Sequence, residues 1–104
     1  MRIPKSFKLY DHEIKVVLKD TVKDYDDPEK ELFGFADWIN NEIHLATKDN
    51  GKTMPKTQVG HSFYHELVHH ILYKMGEHKL NKKEKFVDQL AGLLHQAFST
   101  AKYK

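Results

Sequence analysis

The stretch TMPKTQVGHSFYHELVHHILYKMG, Thr53 to Gly76, decides how this chain is read. Thr53 is suited to cap a helix, Pro55 is preorganised for a first turn, and Gly76 supplies the left-handed residue that ends a helix after Met75. Those signals bracket one helix of roughly twenty residues. At about 100° per residue, Tyr64, Val68, Ile71, Leu72 and Met75 fall on one broad apolar face, with His65 and His69 side by side along its edge. His70 falls on the opposite side of the same projection, where solvent is expected.

The pattern His65-Glu66-Leu67-Val68-His69 is an HExxH motif. Two histidines four positions apart project from neighbouring turns, so both imidazoles can reach one zinc ion at about 2.0–2.1 Å. Glu66 points beside the metal rather than at it. A carboxylate so placed can take a proton from a zinc-activated water and return it to a leaving amine. The chain holds eight histidines, yet at its own His and Glu frequencies only about 0.04 accidental matches are expected, so the motif is informative.

A catalytic zinc of this kind needs a third protein ligand and an open position. A second helix is expected to begin after Asn81 and to run through Phe98 or slightly beyond. Val87, Leu90, Ala91, Leu94 and Phe98 share its apolar face, while Glu84, Asp88 and His95 border it. If the two apolar faces pack together, Glu84 can approach the zinc and Asp88 can orient a ligating histidine from its outer nitrogen. Glu84 is the preferred third ligand and Asp88 its replacement. A competing use of Glu84 is a capping box with Asn81, which has the right spacing.

Upstream, apolar residues alternate. Phe7 and Leu9, then Ile14, Val16 and Leu18, flank Asp11-His12 and suit a hairpin. Phe33 to Trp38 and Glu42 to Leu45 flank Asn40-Asn41, residues that tolerate positive φ, and suit a second hairpin. The strand around Asn41 to Leu45 is a candidate edge for pairing with an extended peptide. Strands followed by helices predict an α+β domain: a small antiparallel sheet of two hairpins, then two packed helices.

The chain's 104 residues suit a single domain spanning 1–104. Cysteine is absent, which excludes disulfides, thiolate zinc knuckles and a cysteine nucleophile. Lysines are interspersed with acids at a net charge of +2, so charge does not suggest a nucleic-acid partner. No apolar run resembling a signal peptide occurs in Met1 to Lys15, and none is long enough to span a membrane, so a cytoplasmic protein is expected.

His65-Glu66-Leu67-Val68-His69 followed by Glu84-Lys85-Phe86-Val87-Asp88 resembles the gluzincin arrangement of HExxH with a downstream ExxxD. The strand-rich half ahead of the motif and the run His65 to Leu72, HELVHHIL, are similar to ImmA/IrrE-type zinc metallopeptidases, especially compact phage and prophage members. The resemblance covers most of the chain, and its specific part is the HExxH helix. It implies a minimal zincin-like domain and a zinc-dependent endopeptidase, whose relatives cleave or otherwise inactivate a transcriptional repressor. It also implies zinc on His65, His69 and Glu84, catalysis by Glu66, and a protein or peptide substrate. The family's downstream helix usually carries a Glu-x-x-Ala-Asn-like signature, where this chain reads Glu84 to Ala91 as EKFVDQLA. A metzincin pattern would need glycine at Leu72 and histidine at Met75.

The remaining polar residues have plainer expected roles. His61, one turn before His65, is expected at the rim, since one zinc cannot readily take three histidines from successive turns. His95 lies two turns beyond Asp88, too far for the ligand set. Tyr64, Tyr73, His61 and His95 remain open as oxyanion donors. Lys82, Lys83 and Lys85 are expected on a solvated flank. The alternative to an enzyme is a zinc-stabilised interaction domain that binds metal without turnover.

Overall fold

The structure, a computed structural model, describes residues 3–104. Its strands are β1 Ser6–Leu9, β2 His12–Lys19, β3 Val22–Lys23, β4 Glu31–Leu32, β5 Gly34–Asp37, β6 Glu42–Ala46, β7 Lys48–Asp49 and β8 Lys52–Thr53. The helices α1 Lys56–Met75, α2 His78–Asn81 and α3 Glu84–Thr100 follow, giving an α+β chain.

Tyr10 and Asp11, with φ of 50° and 64°, reverse the chain between β1 and β2, the paired positive φ angles that match a hairpin's twist. Between β5 and β6, the Asp37 carboxylate accepts the Asn40 backbone N–H at 3.1 Å and its side-chain amide at 2.9 Å. Asn41 then takes φ 53°, and β5 pairs antiparallel with β6.

The main sheet has the order β1-β2-β6-β5. β2 and β6 run parallel, Lys15 opposite Glu42 and Lys19 opposite Ala46. The expected wholly antiparallel sheet is therefore corrected to a mixed one. Side-chain alternation has the same period in either pairing, so it shows which residues face inward but not the direction of the neighbouring strand. Two short ribbons, β3–β4 and β7–β8, and the one-turn helix α2 add to the expected elements.

Helix α1 lies between the sheet and α3. Ile14, Ile43 and Leu45 from the sheet, Val68 and Leu72 from α1, and Val87 and Ala91 from α3 form the buried core. Because α1 is covered on two sides, the projection that put His70 in solvent fails: the residue is fully buried. Its Nε2–H donates to the Glu42 carbonyl at 2.8 Å, which ties the helix to β6. Burial holds its imidazole below the ordinary histidine range, favouring the neutral ring, whose buried Nδ1 has no hydrogen-bond partner among the described residues.

The ends of α1 divide likewise. Gly76, with φ 75°, donates to the Tyr73 carbonyl at 3.0 Å and Glu77 to Leu72 at 2.9 Å, satisfying carbonyls the helix leaves open. At the start, Pro55 holds the cap position and no side chain caps it. Thr53 instead pairs with Lys48 in the β7–β8 ribbon.

Candidate metal centre

His65 and His69 sit on successive turns of α1, their rings 4.9 Å apart and inclined by 71°. Helix α3 begins one short turn after α2 and carries Glu84 across both rings. Glu84 Oε2 lies 3.3 Å from His65 Nε2, and Oε1 lies 3.4 Å from His69 Nε2. The donor atoms of His65, His69 and Glu84 all fall within 4.8 Å of one another. Tetrahedral ligands at 2.0–2.1 Å from zinc are separated by roughly 3.3–3.4 Å; each imidazole lies at about that distance from one Glu84 oxygen, His65 from Oε2 and His69 from Oε1, so the two short contacts fall on different oxygens of one carboxylate.

The outer nitrogens are engaged as well. His69 Nδ1 is hydrogen-bonded to Asn81 Oδ1, and His65 Nδ1 lies 3.4 Å from Asp88 Oδ1. With a proton held on Nδ1 by these acceptors, Nε2 would be left free as the ligand atom, the tautomer that a metal ligand needs. Asp88 is shared: His61 Nε2 lies 3.0 Å from the same oxygen. That hydrogen bond, with the His61 and His65 charges, holds the Asp88 carboxyl below the usual range.

Asn81 does not form the capping box that its spacing allows. Its side chain is taken by His69, and α3 starts at Glu84 with Lys83 at the cap position and no side-chain cap. The Glu84 carboxylate accordingly faces the histidines. Sequence reasoning missed Asn81 as a support for His69; the signal was present in its position three residues before Glu84 but had been assigned to the helix end.

Glu66 is 8% exposed. Burial first, and the Glu84 carboxylate second, push its carboxyl up to about 8. Strand β5 passes directly over it. A Cβ at Gly34 would stand 3.0 Å from both Cγ and Oε2 of Glu66, so glycine gives the strand this close approach without displacing the Glu66 side chain.

Glu66 lines two cavities. One, about 510 Å³, is bounded by Phe35 to Ile39, His69, Asn81, Lys82 and Glu84. The other, about 250 Å³, is bounded by Leu32 to Gly34, Gln58, His61, Ser62, His65 and Asp88. The strand beside both is β5, whose outer edge has no strand partner among the described residues. Asn41 to Leu45, the expected peptide edge, lies largely in β6 between β2 and β5, and its backbone is already paired.

The other titratable residues lie around this centre. His95 stacks on Tyr64 with ring centroids 5.5 Å apart, and Tyr73 stacks on Trp38 at 4.9 Å. Lys82 reaches the larger cavity, whereas Lys83 and Lys85 are exposed. Asp37, Glu42 and His44 also bring donor atoms within 4.8 Å. There Asp37 is occupied by Asn40, and Glu42 by His44 at 2.8 Å.

No helix of the described residues is long and apolar enough to cross a membrane. Compared with known proteins, the chain matches no family model, no curated protein and no solved structure.

Proposed function

We propose that this protein is a zinc-dependent endopeptidase with a zincin-like site. His65, His69 and Glu84 would hold the cation, and Glu66 would move the proton. The observation that carries the reading is the convergence of His65, His69 and Glu84, each with a donor atom within 4.8 Å of the others, beside a buried carboxylate under a strand edge unpaired among the described residues.

Zinc, when bound, supplies Lewis acidity that lowers the pKa of a water and polarises a carbonyl. The remaining work falls to the chain. Glu66, ionised when the charge of the bound cation offsets its burial, would accept a proton from the attacking water on a carboxylate oxygen and deliver it to the amine that leaves. Asn81 and Asp88 keep the two histidines in the ligating tautomer. The open edge of β5 offers backbone N–H and C=O groups to an extended peptide and aligns it along the cleft.

Three ligands rather than four, with a carboxylate alongside, favour catalysis over a purely structural zinc, whose coordination sphere is normally closed by protein. The ImmA/IrrE resemblance extends the proposal to a transcriptional repressor as the protein cleaved.

The test combines metal analysis with an internally quenched peptide library. One equivalent of zinc is expected in the wild type and in Glu66→Gln, and much less in His65→Ala or His69→Ala. Cleavage should appear in the zinc-loaded wild type and disappear in Glu66→Gln. Undiminished cleavage by that variant would remove Glu66 from the reaction, and zinc binding without any cleavage would favour the interaction-domain alternative.

A further inference from the structure

We infer that the cleft selects a large apolar side chain on the amino side of the bond it cleaves, an inference that rests on the peptidase reading above. The two cavities that meet at Glu66 differ in size. The one beside His69 holds about 510 Å³; Phe35, Ala36, Trp38 and Ile39 wall it on the β5 side, and Asp37, Asn81 and Lys82 also line it. Its opposite number holds about 250 Å³ and is lined by Leu32, Phe33 and Gly34 together with Gln58, His61 and Ser62. The first has the volume and the apolar wall of a side-chain binding pocket; the second is about half its size.

The wall is also held in place. The Trp38 ring lies parallel to Tyr73, 4.9 Å between centroids at 8°, so the indole is braced against α1. Ile39, at the tip of the β5–β6 turn, is 92% exposed. A large aliphatic side chain so exposed, at the mouth of the larger cavity, gains most from a ligand that covers it.

The direction of β5 decides which side of the peptide enters this cavity. The strand starts at Gly34, directly over Glu66, and runs to Asp37 and Trp38 at the larger cavity. A peptide added antiparallel, the pairing that is more stable per residue, places its amino-terminal part along Asp37 and Trp38. Its carboxyl-terminal part then leaves over Leu32 and Phe33. The residue before the scissile bond therefore faces the apolar wall of the larger cavity, and the residue after it faces the smaller one.

The probes are N-acetylphenylalanine hydroxamate and N-acetylglycine hydroxamate, which chelate zinc and present their side chain from the amino side. The chain has a single tryptophan, Trp38, so its fluorescence reports binding without any turnover. The phenylalanine probe should bind the zinc-loaded protein about tenfold more tightly than the glycine probe and should change Trp38 emission. Ile39→Asp, at an exposed position that the fold does not need, should shrink that advantage several-fold. Equal affinity for the two probes would overturn the inference and leave the metal centre standing. Binding of neither probe to protein carrying one equivalent of zinc would overturn the peptidase reading and this inference with it. In a peptide mixture, cut sites should follow Phe, Leu, Met or Trp; enrichment of those residues only after the cut would refute the assigned direction.

Discussion

Replacing Glu66 by Gln should stabilise the metal-free protein, and by an amount that grows with pH. Glu66 is 8% exposed, and its carboxyl is pushed from the ordinary 4.5 up to about 8. Between those values the folded protein holds a proton that the unfolded chain has released. Unfolding therefore becomes easier as pH rises, by about 1.4 kcal/mol per pH unit. Relative to pH 4.5, the wild type loses about 3 kcal/mol by pH 7 and approaches 5 kcal/mol above pH 8. Gln has nearly the same shape and no charge, so this loss should be absent in the variant. His70 acts in the opposite sense: its depressed pKa adds stability that is present above the unfolded value and fades as pH falls through and below it. Both proteins retain His70, so its effect cancels in the difference. The assay is urea unfolding of chelator-dialysed wild type and Glu66→Gln at pH 5, 6, 7 and 8. A difference in unfolding free energy that opens steadily in favour of the variant is expected. A difference that does not change with pH, or a wild type more stable at pH 8, would refute the burial argument for Glu66.

Three further outcomes follow from the same geometry. Asn81→Ala should weaken zinc binding about 10- to 100-fold through loss of the His69 Nδ1 partner, measured by competition with a zinc indicator; unchanged affinity would make that contact incidental. Gly34→Ala should cost about 1–3 kcal/mol in thermal or urea unfolding, because its methyl group meets Glu66 at 3.0 Å, and an unaffected midpoint would show that the strand can shift freely. Acidification toward pH 5 should release zinc, since protons compete with the metal for ligands that bind it only when deprotonated; constant metal content down to that pH would contradict histidine ligation.

The pair His65 and His69, the placement of Glu66 beside them and the end of α1 at Gly76 were legible in the sequence. Each depends on residues no more than four or five apart, whose relative positions the helix's own hydrogen bonds impose. The alternating runs likewise placed Phe7, Leu9, Ile14 and Val16 toward the core, although Leu18, at the end of the same alternation, is exposed. Tertiary structure decided the rest. The parallel contact of β2 with β6 left β5, not β6, with the open edge. It also placed that edge, at Gly34, in close contact with Glu66. The packing of α3 on α1 turned Glu84 toward the imidazoles and gave Asn81 to His69 instead of to a helix end. His70 moved from its expected solvent side into the interior because the sheet covers that flank. Sequence spacing encodes contacts within one turn of helix or one pleat of strand. Which elements then meet, and which polar groups are desolvated when they do, depends on packing between residues far apart in the chain.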